Sequence, residues 1–229
     1  MICREFNCLY VHVPKTGGQS VEQFFIDRLS LDWDRDRGDL LIRRNENREC
    51  GTEKLAHLSA TEYVECGHLT QHEFSDFFKF SFVRNPWSRI LSEYRYRNYF
   101  HHLSFRDFVL NKMPKPGWDD NYRHVMPQYD MLYDSQGNLS VDYVGRFESL
   151  QQDFDRICEI LNVSRSELPH RNKSNKKSRD LKRTVRNLLF MNGENRKRSM
   201  SDFYDDETRE AVARYYRKDI EIFGYTFQT

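Results

Sequence analysis

The chain has 229 residues, with 36 Lys+Arg against 35 Asp+Glu and a formal net charge of +1, so it is not as a whole an electrostatic binder of nucleic acid and any attraction for anions must be local. Hydrophobic residues at 38%, charged residues at 31% and a mean hydropathy of -0.85 describe a soluble globular protein long enough to bury a sizeable core, read as one domain over 1–229. No window approaches the roughly 18 to 20 apolar residues of a membrane span and the opening "MICREFNC" has no secretory h-region, so the expected setting is cytoplasmic, with no membrane partner.

Five cysteines (Cys3, Cys8, Cys50, Cys66, Cys158) are odd in number and never form a C-x-x-C pair, which suggests buried thiols rather than a disulfide framework or a zinc ribbon. "CLYVHV" is a short β-branched and aromatic run ending at Pro14 and predicts a buried strand. Val21, Phe24, Phe25 and Leu29 then recur at helical spacing, with Ser20 and Gln23 in capping-box relation. Residues 31–54, polar and charge-mixed, read as a surface excursion. "FKFSFV" predicts a second strand, after which Asn85 suits a helix cap and Pro86 its first position, where no amide hydrogen is needed. "SFRDFVLNKM" and "ESLQQDFDRICEIL" predict further helices. In the last helical stretch, "DDETREAVARYYRKDIEIFG", Val212, Tyr216, Ile220 and Phe223 form one stripe and Gly224 offers a stop. Strands alternating with helices predict an α/β fold with a mostly parallel sheet. Residues 170–198 hold eleven Lys+Arg and two Asp+Glu, either a solvated face or an anion-binding lid.

Two stretches carry the chemistry. In "HVPKTGGQS" a strand runs through a glycine turn into a helix start, which aims backbone N–H groups and the positive end of the helix dipole at one point. Gly17 and Gly18 permit close approach, Lys15 supplies charge, and Thr16 and Ser20 supply hydroxyls. The order is not that of a nucleotidase P-loop, G-x-x-x-x-G-K-[ST], because Lys15 precedes the glycines. "VRNPWSRILSEY" repeats the device: Arg84 leaves a strand, Asn85 and Pro86 open a helix, and Arg89 and Ser92 share a helical face. Two anion sites in one small domain point to a nucleotide with separated phosphates.

These two stretches resemble the 5'-phosphosulfate loop and the 3'-phosphate motif of sulfotransferases that use 3'-phosphoadenosine 5'-phosphosulfate (PAPS), most closely the carbohydrate branch that includes heparan sulfate 2-O-sulfotransferase and related bacterial proteins. The likeness continues through "CGHL", "VGRFESL", "PHRNKS" and "YRKDIEIFGY" and so spans nearly the whole chain. It implies a P-loop-like three-layer fold with a central parallel sheet flanked by helices, no metal, and a hydroxyl acceptor, a sugar or polysaccharide. By position, Lys15, Thr16, Gly17, Gly18, Gln19 and Ser20 would cradle the phosphosulfate, with Gln19 standing where relatives usually have threonine. Arg84 and Ser92 would hold the 3'-phosphate, and Lys173 and Ser174 would close over the nucleotide.

His68 matches the family's histidine base, and imidazole suits proton removal near neutrality, while Lys15 would meet charge developing on the leaving phosphate. Arg95 and Arg97 are expected acceptor contacts. Tyr94, Tyr96 and Tyr99 read as core and cleft wall, Glu148 as helix-start architecture, and His12, His101 and His102 stay unassigned. A zinc site at Cys66, His68 and His72 lacks a fourth ligand at recognisable spacing. The rival readings are an NTP-dependent kinase, weakened by the lysine-first order and the lack of an acidic magnesium motif, and a non-catalytic binder of acidic polymers through 170–198.

Overall fold

The computed structural model describes residues 1–47, 49–169 and 199–228; the basic segment 170–198, with Lys173 and Ser174, lies outside the described residues. β1 (Ile2–Cys3), β2 (Cys8–Val11), β3 (Phe78–Val83) and β4 (Tyr143–Arg146) form one sheet in that order. β2, β3 and β4 are parallel, and β1 pairs with β2 antiparallel. All four residues of β2 are buried, as a strand covered on both faces requires. The two predicted strands are present, whereas two-residue β1 and the "YVGR" of β4 are too short or too polar to stand out as strands.

Strand periodicity divides the core in two. Leu9 and Val11 face one apolar layer with Trp87, Ile90, Leu91 and Tyr94 of α4 (Pro86–Tyr96), while Tyr10, Phe80 and Phe82 face another with Phe24 and Phe25 of α1 (Gly18–Arg28). The protein is thus a mixed α/β fold whose mostly parallel four-stranded sheet is flanked by helices. The helix at 104–113 is seen as Phe105–Asn111 capped by Ser104, and that at 148–161 as Leu150–Ile160. The last helical stretch breaks at Tyr216 into Asp206–Tyr215 and Arg217–Phe223, and Gly224 ends it in the left-handed conformation, φ 64°. Among the described residues no helix is long and apolar enough to cross a membrane.

Three expectations are corrected. Ser20 does not cap α1: the helix starts earlier, at Gly18, with Gly17 as N-cap and no side-chain capping bond. Residues 31–54 are not a free surface excursion, because Leu40 and Ile42 are buried in the second apolar layer. Cys50 and Cys66 form a disulfide, with Cα atoms 5.6 Å apart, while Cys3, Cys8 and Cys158 are the buried thiols expected. Tertiary structure, not spacing, brings the pair together, tying the 31–54 segment to the residues between α2 (Glu62–Glu65) and α3 (Gln71–Asp76).

Among the described residues Arg89 is the largest fully buried side chain. Its Nε donates to the carbonyl of Pro14 at 3.0 Å, Nη1 to that of Met126 at 2.9 Å, and Nη2 to that of His124 at 3.1 Å. A planar fork with several donors serves three directions at once, which an ammonium could not do from one point. Replacing it by Met would leave three buried carbonyls unpaired, each costly to strand. Arg89→Met is therefore expected to lower the unfolding free energy by about 2–4 kcal/mol in urea titrations, with Arg89→Lys recovering only part of it. A change below about 0.5 kcal/mol for the Met variant would show the guanidinium to be dispensable to the fold.

Candidate functional site

After β2 the chain passes through buried His12 and Val13 to Pro14, then turns sharply. Lys15 has φ 74° and Gly17 φ 85°, so two nearby residues are left-handed. For lysine this is a strained conformation of the kind that concentrates at binding loops. Thr16, fully buried, donates its hydroxyl to the Val13 carbonyl at 2.7 Å and closes the turn from inside. A Cβ on Gly18 would stand 2.1 Å from Nε2 of His12, so only glycine lets α1 begin against that ring. The first turn of α1 has no side-chain cap: the Ser20 N–H bonds to the Gly17 carbonyl at 3.0 Å, and those of Gly18 and Gln19 are left for water or an anion.

At the second predicted element, Asn85 accepts from the amides of Trp87 and Ser88, and Pro86 opens α4. Glu148 contributes here as architecture: its carboxylate accepts from the Asn85 amide at 2.8 Å and from the Tyr225 hydroxyl at 3.2 Å. Arg84 donates from Nε to Ser88 Oγ at 3.1 Å and from Nη1 to the Lys15 carbonyl at 3.1 Å, and its guanidinium lies over the Phe147 ring. Burial lowers Arg84 to about 10. The two elements are therefore joined directly.

Beside them opens a cavity of about 630 Å³, lined by Lys15, Gly17, Gly18 and Gln19 of the loop and by Ser92, Arg95 and Tyr96 of α4. Trp33, Arg37, Ile42, Arg43, Arg44 and Lys54 reach it from the 31–54 segment. Among the described lining residues six are cationic (Lys15, Arg37, Arg43, Arg44, Lys54 and Arg95) and one is a carboxylate, Glu22, which His12 Nδ1 holds at 2.7 Å; Lys54 and Arg43 also have acidic partners, Asp120 at 2.7 Å and Glu46 at 3.3 Å. The ammonium of Lys15 sits 3.7 Å from the centre of the Tyr96 ring, and burial pushes it down to about 8. Thr16, Ser20 and Arg84 do not line the cavity itself. Arg89 serves the backbone, and Arg97 is committed to Glu93 at 2.7 Å and Asp120 at 3.1 Å.

Three histidines, His12, His57 and His124, also line the cavity. The His57 ring meets His12 and His124 edge-on, with centres 5.1 and 5.0 Å away. His57 Nδ1 pairs with Asp120 Oδ1 at 2.9 Å and His124 Nδ1 with Glu93 Oε2 at 2.7 Å. Burial pushes His57 down to about 3 against the opposing hydrogen bond to Asp120, so it is neutral near pH 7. His68 is not among the lining residues: its backbone N–H bonds to Tyr63, and burial, then Arg43, lower its pKa. Asp120 and His124, four apart in "DDNYRHV", carried a readable helical-face signal; His57 in "KLAHLSA" carried none. Asp120, His57 and His124 also place one ligand atom each within 4.8 Å, a grouping in which a metal ion could be held.

The chain is 34% identical over 94 residues to a protein of Archaeoglobus fulgidus described only as an uncharacterized protein, a match covering 39% of this chain and 72% of that one. No solved structure matches it. The sequence model of the Sulfotransferase family matches residues 1–226, almost the full length of the cradle, sheet and helices described above, and the protein belongs to that family.

Proposed function

We propose that the protein moves the sulfuryl group of PAPS to a hydroxyl of a sugar or polysaccharide, without a metal. The observation that carries this reading is the junction of the two anion-holding elements: Arg84 donates to the Lys15 carbonyl at 3.1 Å beside a cationic cavity onto which the start of α1 also opens. The residues fit the donor, since an uncapped helix start, two glycines in the turn and a six-to-one excess of cationic over acidic lining residues suit a polyanion. Lys15, Gly17, Gly18 and Gln19 would hold the 5'-phosphosulfate, with Thr16 and Ser20 shaping the turn. Arg84 and Ser92 would hold the 3'-phosphate. Lys173 and Ser174 keep their proposed closing role outside the described residues.

PAPS supplies an activated sulfuryl group. As the acceptor oxygen bonds to sulfur, the bond from sulfur to the bridging oxygen of the 5'-phosphate breaks, and Lys15 meets the charge appearing on that oxygen. The acceptor's proton goes to an imidazole, and we assign that role to His57, inside the cavity, in place of His68 outside it, because reach is decided before basicity. An anionic donor beside His57 raises its pKa from the depressed value of the free protein, making it the stronger base when loaded. Arg95, Arg37, Arg43 and Arg44 suit an acceptor bearing carboxylate or sulfate groups; Arg97, held by two carboxylates, would act through them. The Cys50–Cys66 bond favours an oxidising compartment over the cytoplasm expected from the sequence.

Calorimetry with 3',5'-adenosine bisphosphate tests the donor site. Binding is expected without magnesium and to be lost in Lys15→Ala; magnesium-dependent ATP binding in its place would favour a kinase. Because Lys15 titrates near pH 8 in the free protein and must be protonated to hold an anion, affinity should fall up to about tenfold per pH unit above that value, with proton uptake on binding. An affinity flat through alkaline pH would remove Lys15 from the contact. His57→Ala is expected to lower turnover about 10²- to 10⁴-fold with bisphosphate binding intact, while His68→Ala stays within about threefold of wild type. The reverse pattern would return the base to His68.

A further inference from the structure

Behind His57 lies a buried array that the proton-transfer role alone does not require. Glu93, Asp120, His57 and His124 are each at most 6% exposed. Asp120 uses one oxygen for His57 Nδ1 at 2.9 Å and the other for Lys54 Nζ at 2.7 Å and Arg97 Nη2 at 3.1 Å. Arg97 turns back to Glu93 at 2.7 Å, and Glu93 holds His124 Nδ1 at 2.7 Å. His124 thereby directs its other nitrogen, without a hydrogen-bond partner, toward Asp120 Oδ1 at 3.6 Å. Edge contacts with the His12 and His124 rings, at 5.1 and 5.0 Å between centres, further pack the His57 imidazole.

Resting on the assignment of His57 as base, we propose that Asp120 is its positioning residue: by accepting the Nδ1 proton it fixes His57 in the tautomer whose Nε2 takes the acceptor's proton, and Arg97, Glu93 and His124 hold Asp120 in place. Asp120 is suited to accept only. Burial works against its charge, but His57, His124 and Lys54 outweigh that effect and hold its carboxyl well below the ordinary range. It therefore stays an anion that cannot donate to Nδ1, so the ring proton must sit on Nδ1 and the lone pair on Nε2. When His57 takes up a second proton, the same carboxylate stabilises the imidazolium. A metal ion bridging His57, Asp120 and His124 is disfavoured on charge, because Lys54 and Arg97 already balance Asp120 and Glu93 and a divalent cation would lie beside both.

Long-range ¹H–¹⁵N correlation spectra of the histidine side chains, with His57→Gln for assignment, read the tautomer directly in the free protein. His57 is expected as the neutral Nδ1–H form near pH 7; the Nε2–H form, or stoichiometric metal on the purified protein, would overturn the proposal without recourse to any variant. In Asp120→Asn the amide can donate to Nδ1, so the tautomer should invert. PAPS cleavage with water as acceptor forms the sulfur–oxygen bond of sulfate, releases 3',5'-adenosine bisphosphate and passes water's proton to Nε2. For Asp120→Asn its kcat should fall about 10²- to 10⁴-fold, with the KM for PAPS within about threefold. Wild-type kcat in Asp120→Asn together with an inactive His57→Gln would sink this proposal alone, whereas an active His57→Gln would sink the base and its positioning residue together.

Discussion

The buried guanidinium of Arg89 is the constraint on which the site depends. It bonds the carbonyl of Pro14, the residue before the lysine of the glycine turn, and those of His124 and Met126, at the end of the helix that carries Asp120. One side chain from α4 thus sets the distance between the anion-holding turn and the histidine array. The three contacts are to backbone, so they fix where the chain runs whatever side chains it carries. They matter because the guanidinium is fully buried, where a lost partner strands the groups it served.

Around this strut, burial adjusts the chemistry of neighbouring groups. Lys15 is desolvated against Tyr96 in a left-handed turn, which brings its titration within reach of ordinary buffers. Glu22, the acidic residue of the described lining, is held in place by His12, whose ring occupies the space left by the missing side chain of Gly18. Two residues of the glycine turn therefore serve different ends: Gly17 permits the left-handed turn, and Gly18 permits the close approach of an imidazole. Among the described residues the cavity lining is net positive because its cations outnumber the Glu22 carboxylate.

Much of the frame was legible in the chain. β3 follows "FKFSFV", the α4 cap follows "NP", and the meeting of the lysine turn with Arg84 follows from two strand-to-helix junctions on neighbouring parallel strands. β1 and β4 were not legible because a two-residue strand and one containing Gly145 gain their character from pairing rather than from local preference. Cys50 and Cys66 are 16 apart, and the excursion that carries Cys50 folds back through Leu40 and Ile42, a tertiary event with no local signature. The site divides similarly. Lys15, Gly17, Gly18, Gln19, Ser92 and Arg95, singled out from the sequence, line the cavity, whereas Arg97 faces carboxylates and His68 is not among the lining residues. His57 gains its meaning only from Asp120, 63 residues later in the chain.

A crystal structure of the protein with 3',5'-adenosine bisphosphate tests the central claim most directly, that the lysine-first turn and the start of α4 hold opposite ends of one nucleotide. The account predicts the 5'-phosphate on Lys15 and the amides of Gly17, Gly18 and Gln19, the 3'-phosphate within reach of Arg84 and Ser92, and His57 facing the position the sulfur would take. A nucleotide bound away from the turn, or one whose 3'-phosphate points to solvent far from α4, would contradict it.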